Sequence, residues 1–167
     1  MKVLDLFSGI GGFSLGLERA GFETVAFCEL EDYPVSILNK HWPDVPVHRD
    51  IRKLDGKQYR GTVRLVCGGF PCQPFSVAGK QAGEEDDRHL WPEMLRIIKE
   101  VQPEYVIGEN VAGFISMALD DVLSESPVRH RDDGLPDNVA RLKALGNSVV
   151  PQIPELIGRA IKAIECK

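Results

Sequence analysis

Near the amino terminus an apolar run, Val3-Leu4-Asp5-Leu6-Phe7, passes into Ser8-Gly9-Ile10-Gly11-Gly12 and then into Phe13, Leu15, Gly16, Leu17 and Ala20, closed by Gly21. The run predicts a buried strand over Met1 to Phe7, the glycines a tight turn, and the last residues a helix at 3.6-residue spacing. Strand, glycine turn and helix in that order constrain the chain to an α/β class. Glycines let a backbone approach a ligand, and the helix N-terminus offers unpaired N–H groups. A glycine turn alone fits a plain structural turn equally well. The next strand, Thr24 to Cys28, ends in Glu29, about 20 residues after the glycines, where an acid can accept hydrogen bonds from two ribose hydroxyls. A short helix over Pro34 to His41 and a weak third strand over Val45 to Val47 lead to Asp50 and Ile51. Asp50 could accept from the exocyclic amine of adenine, although an exposed loop carboxylate is the commoner fate of such a residue. These features serve NAD and S-adenosylmethionine equally, because the two share an adenosine.

A second constraint lies further on. The apolar run Val63 to Cys67 is broken by Gly68-Gly69 and followed by Phe70-Pro71-Cys72-Gln73-Pro74-Phe75-Ser76. A buried strand is predicted to end there, at the side of the sheet where α/β proteins place ligands, with Cys72 held between two prolines that fix φ. Cys28, Cys67 and Cys166 read as ordinary inert thiols. After a polar loop over Ser76 to Asp87, the residues Leu90, Trp91, Met94, Leu95, Ile97, Ile98 and Val101 repeat at helical spacing, with Asp87 as an expected cap and Pro92 in the first turn. Tyr105 to Gly108 predicts another buried strand, ending in Glu109-Asn110-Val111. Glu109 is a general-acid candidate and, on spacing alone, equally a surface acid. A helix with one buried face is expected over Val111 to Leu123, a polar connection over Pro127 to Asn138 with His130 solvated, and a helical stretch over Val139 to Leu145. The closing helix is expected to bury Ile153, Leu156, Ile157, Ala160, Ile161 and Ile164 on one face.

At 167 residues the chain suits a single domain over residues 1–167, large enough to bury a core without metal or disulfides. Four cysteines without CxxC pairing, no secretory leader and no run of about 20 apolar residues point to a cytoplasmic, non-membrane protein. A net charge of −5 advertises no strong DNA-binding patch, since phosphate contacts come from Lys and Arg.

Four segments together resemble the cytosine-C5 DNA methyltransferases: Asp5 to Phe13, the Pro71-Cys72-Gln73-Pro74 loop, the Glu109-Asn110-Val111 triplet, and Gly146-Asn147-Ser148-Val149-Val150-Pro151-Gln152. The resemblance covers residues 1 to about 124 and about 134 to 165. It implies a Rossmann-like S-adenosylmethionine-dependent methyltransferase fold, a mostly parallel sheet with helices on both faces. It further implies S-adenosyl-L-methionine as cofactor, held by Phe7 against adenine, Ser8, Gly9, Gly11 and Gly12 in the turn, Glu29 on the ribose and Asp50 at adenine, with Leu30, Ile51, Pro71, Leu90, Asn147 and Ser148 completing the site. No metal is implied. By the same resemblance Cys72 thiolate adds to C6 of a flipped cytosine while Glu109 holds N3, and double-stranded DNA is the substrate.

Between Leu123 and Pro136 the family carries further strands, an arginine-rich motif and a target-recognition domain, whereas here about a dozen residues intervene, too few for one crossover unit. Arg129 and Arg131 read as a solvated loop pair. A deletion near 124–136 is therefore expected, leaving the sheet shortened after its fifth strand. An exposed apolar edge at Tyr105 to Gly108 then invites a homodimer, and base reading by this chain alone is not expected. Two functions remain: a methyltransferase domain with weak or partner-dependent activity, and a non-catalytic S-adenosylmethionine-binding module. An NAD-dependent oxidoreductase ranks far behind, because it leaves Cys72, Glu109 and Asn147 without a shared task.

Overall fold

The computed structural model describes residues 1–70, 90–109 and 150–166. Among the described residues there are five strands: β1 (Lys2–Leu6), β2 (Glu23–Cys28), β3 (Val47–His48), β4 (Val63–Gly69) and β5 (Tyr105–Glu109). They form one sheet in the order β3-β2-β1-β4-β5, and every neighbouring pair is parallel. Four α-helices accompany them among the described residues: α1 (Gly12–Arg19), α2 (Asp32–His41), α3 (Trp91–Val101) and α4 (Gln152–Glu165). Two 3-10 turns, Ile51–Lys53 and Gly56–Tyr59, join β3 to β4.

Parallel strands need both faces covered, which is why their sequences run almost continuously apolar. Side-chain alternation divides them. Val3, Leu65 and Cys67 face a cluster with Phe13 and Leu17 of α1, Phe22 just before β2, and Ile161 of α4. Leu4, Leu6 and Val66 face the opposite cluster, with Met94, Ile97 and Val101 of α3 and with Ile51 and Leu54 of the first turn. The chain winds outward from β1 through β2 to β3, then returns to the other side of β1 as β4 and β5. The strand order thus reverses between β1 and β4, where α/β sheets form their ligand crevice. Both the glycine turn after β1 and the chain leaving β4 emerge at that point.

Several boundaries differ from the sequence expectation. Helix α2 begins at Asp32, two residues before Pro34, so the proline sits in the first turn, where its missing N–H costs nothing. The third strand is Val47–His48 rather than Val45 to Val47; Phe27 N donates to Pro46 O at 2.9 Å, but Pro46 has no N–H to return, and the ladder starts after it. The N-cap of α3 is Leu90, whose side chain makes no cap bond, and the expected capping by Asp87 lies outside the described residues. The buried face of α4 is narrower than predicted. Pro154, Gly158 and Ile161 are buried and Ile153, Ile157 and Ala160 half-buried, but Leu156 is 67% and Ile164 42% exposed. Helix α4 meets α1 at small residues, Gly16 on one and Gly158 on the other, and this close crossing leaves the flanking apolar residues outside the contact. The readings over residues 111–123, 127–138 and 139–145 lie outside the described residues. Among the described residues β5 is the sheet edge on its side, and no helix is long and apolar enough to cross a membrane.

Candidate active site

The turn after β1 is built from left-handed backbone. Gly9 has φ 53° and Gly11 φ 86°, and Phe7, a non-glycine residue, has φ 51°. A bulky residue in that region stores on the order of 1–3 kcal/mol of strain, held here by the surrounding contacts. Ser8 is turned inward: its hydroxyl donates to Asp5 O at 2.7 Å and accepts from Cys28 N at 3.3 Å, pinning the end of β1 to the end of β2. Its side chain therefore serves the scaffold. Gly11 is the N-cap of α1, which has no side-chain cap and no acid in its first turn, so the helix N-terminus is electropositive toward the crevice.

Glu29 lies across from this turn. Its Oε2 accepts from Gly9 N at 2.8 Å and its Oε1 from Glu31 N at 2.8 Å, so one carboxylate ties the loops after β1 and β2 together. Around them Ile10, Leu30 and Tyr33 are 51%, 64% and 73% exposed. Three apolar side chains left in water at the carboxyl end of a sheet form a surface suited to a planar, partly apolar ligand. Only Leu30 of these was expected from sequence; Ile10 and Tyr33 carry no pattern beyond their nearness to the glycine turn and to Glu29. Asp50 caps the first 3-10 turn, with Oδ1 accepting from Arg52 N at 3.0 Å, while the adjoining Ile51 is buried. Leu90, half-buried at the start of α3, packs on the same side of the sheet as that turn.

Trp42 was not anticipated. Its ring presses on Gly11 so closely that a Cβ there would meet it at 2.7 Å, and its Nε1–H donates to both carboxylate oxygens of Glu18 at 2.9 Å. Phe27 supports it edge-on, with centroids 5.3 Å apart. Gly11 thus carries two constraints, the left-handed φ and the indole. Gly11→Ala is expected to destabilise by about 2–3 kcal/mol, combining the left-handed penalty with overpacking. In a Trp42→Phe background the added cost should fall to the backbone part, about 1 kcal/mol, in a double-mutant cycle of urea unfolding. Equal costs in both backgrounds would remove the indole from the explanation.

On the other side of the switch point Gly69 of β4 pairs with Glu109 of β5. A Cβ on Gly69 would lie 3.0 Å from Glu109 Oε2, so this carboxylate rests over the strand end that runs into Phe70 and the proline-cysteine loop. Burial raises the Glu109 pKa, favouring the protonated form that can donate a hydrogen bond. Phe70 is buried and stacks at a tilt on Trp91, with centroids 5.2 Å apart, fixing the start of that loop. Pro71, Cys72, Asn147 and Ser148 lie outside the described residues. The structure brings the glycine turn, Glu29 and Leu30 to one sheet end, and Glu109 to the adjoining strand end. Among the described residues no group of three His, Cys, Asp or Glu side chains is arranged to hold a metal.

Comparison with known proteins covers most of this region. Residues 1–125 match the family described as C-5 cytosine-specific DNA methylase. The chain is 45% identical over 113 residues to the Type II methyltransferase M.NgoMIV of Neisseria gonorrhoeae, a match covering 67% of this chain and 36% of that protein. A mutant DNMT2 of Spodoptera frugiperda superposes with a TM-score of 0.60 at 25% identity, over 74% of this chain and 40% of that one. The Dnmt2 methyltransferase of S. pombe, at 21% identity, shares the fold with a TM-score of 0.65 over 88% of this chain and 57% of that one. The chain spans roughly a third of the length of the curated relatives it matches, 36% of M.NgoMIV and 28% of M.Eco47II of Escherichia coli.

Proposed function

The chain belongs to the C-5 cytosine-specific DNA methylase family, and from that premise we propose that it binds S-adenosylmethionine and carries the cysteine and glutamate that act on C5 of a flipped cytosine in DNA. The observation that carries this reading is the pairing of the β4 and β5 ends, where the Glu109 carboxylate lies against Gly69, three positions before Cys72. The residues present fit the cofactor: an open, left-handed turn with space beside Gly9, an uncapped α1 N-terminus for a carboxylate, and Glu29 opposite for two hydroxyls. Phe7, Leu30, Asp50, Ile51 and Leu90 would line the adenine end, and Pro71, Asn147 and Ser148 the reacting end. When bound, the cofactor supplies an electrophilic methyl group.

The chain's own residues supply the rest. Cys72, as thiolate, forms a bond from sulfur to C6 of cytosine, and the electron pair displaced from the C5–C6 bond makes C5 nucleophilic. Glu109, whose pKa burial raises, would donate to N3 from its protonated form and spread the developing negative charge. With the methyl on C5 and S-adenosylhomocysteine released, a solvent water would take the C5 proton, and the electron pair of that C–H bond would re-form the C5–C6 double bond and expel Cys72 as thiolate. The short interval at 124–136 leaves no room for a target-reading domain. Sequence-specific activity would then come from a different chain that carries such a domain, while a second copy would pair through β5, the outer strand on that side among the described residues, without supplying one.

Calorimetric titration with S-adenosylhomocysteine should show one site, weakened about tenfold or more in Glu29→Ala through loss of charge-assisted hydrogen bonds to the ribose. An oligonucleotide containing 5-fluorocytosine, supplied with S-adenosylmethionine, should form a covalent adduct that Cys72→Ala abolishes. Titration without binding would sink the cofactor assignment. Binding without adduct would leave an S-adenosylmethionine-binding module and remove the catalytic one.

A further inference from the structure

The strongest unabsorbed feature is Arg96 on α3, whose guanidinium fastens the segment carrying Asp50 and Ile51 to the helix that begins at Leu90. Its Nη2 donates to Ile51 O at 2.6 Å and its Nη1 to Leu54 O at 3.1 Å. On its other edges Nε donates to Glu93 at 2.9 Å and Nη1 to Glu100 Oε1 at 3.0 Å. Glu100 in turn accepts from Gly56 N at 2.8 Å. Gly56 itself sits so close to α3 that a Cβ would meet Glu100 Cβ at 2.9 Å and Ile97 O at 3.3 Å. The backbone from residue 51 to residue 56 is thus held at three points by one Arg–Glu pair, and Asp50, at its head, is oriented by its own bond from Arg52 N.

We infer that Arg96 is a positioning residue for adenine selection: by locking the 51–56 turn onto α3 it sets Asp50 and Ile51 in register with Leu90 across the adenine site. The inference rests on the cofactor reading above. A planar fork is needed, because two backbone carbonyls and two carboxylates must be reached from different edges of one cation. The ammonium of lysine would hold one side and release the other. Arg60 makes a comparable clamp further along, with Nε donating to Glu100 O at 2.8 Å, but it grips the end of the second 3-10 turn, away from Asp50.

The test compares binding of S-adenosylhomocysteine and S-inosylhomocysteine, which differ in the exocyclic group facing Asp50, together with amide hydrogen exchange. In Arg96→Lys and Arg96→Met, exchange over residues 51–56 should rise about tenfold or more while Gly9 and the β1 amides stay protected. The preference for the adenosyl ligand should fall at least fivefold. In Arg60→Met the preference should remain that of the unmodified chain. Selectivity unchanged in both Arg96 variants, with the unmodified chain binding and selective, overturns the positioning role alone. Failure of the unmodified chain to bind either ligand overturns the cofactor reading and the inference with it. Should Arg96→Met not fold, Arg96→Lys, which keeps the charge between Glu93 and Glu100, decides the matter.

Discussion

Gly16→Ala is expected to lower the melting temperature by about 5–10 °C, although alanine is the better helix former. Two effects oppose each other. In a helix interior the substitution should gain about 1 kcal/mol from propensity. Against this, a Cβ at Gly16 would stand 2.1 Å from Pro151 O, 2.8 Å from Pro154 Cβ and 2.9 Å from Glu155 N. Two of these are backbone atoms at the start of α4 and cannot rotate away, so the helix itself must shift by more than an ångström. That shift would loosen Gly158 from Ala20 and Phe22, which a Cβ there would meet at 2.8 and 3.1 Å, and Ile161 from the cluster it shares with Leu17 and Leu65. Overpacking of this kind costs about 1–3 kcal/mol or more, here magnified because a whole helix is displaced, and a net loss of about 2–3 kcal/mol follows. Gly108→Ala is the control: among the described residues nothing lies within 4 Å of its Cβ position. It should be nearly neutral in thermal unfolding. A Gly16→Ala protein melting at or above the unmodified temperature would show that α4 is not held by this crossing.

Asp5→Asn should flatten the pH dependence of stability. Asp5 is fully buried beneath the glycine turn, and Oδ2 accepts from Ser14 Oγ at 2.7 Å. Among the described residues Oδ1 receives no conventional hydrogen bond; the Cys67 thiol, a weak donor, lends limited support. Burial raises the carboxyl pKa to about 7 from 3.8, against the partial counterweight of the Ser14 bond. The sign follows directly. Below about pH 4 both folded and unfolded chains hold this proton; between 4 and 7 only the folded chain does. The contribution of Asp5 is therefore full at low pH, lost progressively as pH rises toward 7, and flat above it, a change on the order of 4 kcal/mol. Glu109, also raised by burial, slopes the same way. His48, lowered by burial, slopes oppositely, its contribution lost as pH falls below its ordinary value. Taking the difference between the unmodified chain and Asp5→Asn at each pH cancels both. That difference, from urea unfolding between pH 4 and 8, should move by several kcal/mol in favour of the asparagine as pH rises. Parallel curves would mean that Asp5 stays charged throughout.

Much of the scaffold was readable along the chain, and the reason is local. A run such as Val63 to Cys67, broken by two glycines, reads as a strand within a covered sheet, and glycines set between an apolar run and an apolar helical repeat mark a tight turn. The narrowed face of α4 was misread because periodicity reports which residues are apolar, whereas burial depends on the shape of the partner helix. Leu156 is as apolar as Ile161, but Gly16 and Gly158 draw the helices together along a line that passes it by. Trp42 and Arg96 escaped for a related reason. Their partners, Glu18 and Ile51, lie 24 and 45 residues away, and no spacing rule links residues so far apart.

The sequence by itself determined the order of strands and turns, the family, and the residues proposed to bear chemistry, since each follows from side-chain type and from neighbours a few positions away. Tertiary structure alone decided which of those residues meet: Gly9 with Glu29, Gly69 with Glu109, and Arg96 with the turn after Asp50. Parallel strands bring their carboxyl ends side by side whatever the length of chain between them, and contacts made across that end are set by register and packing, which no local pattern records.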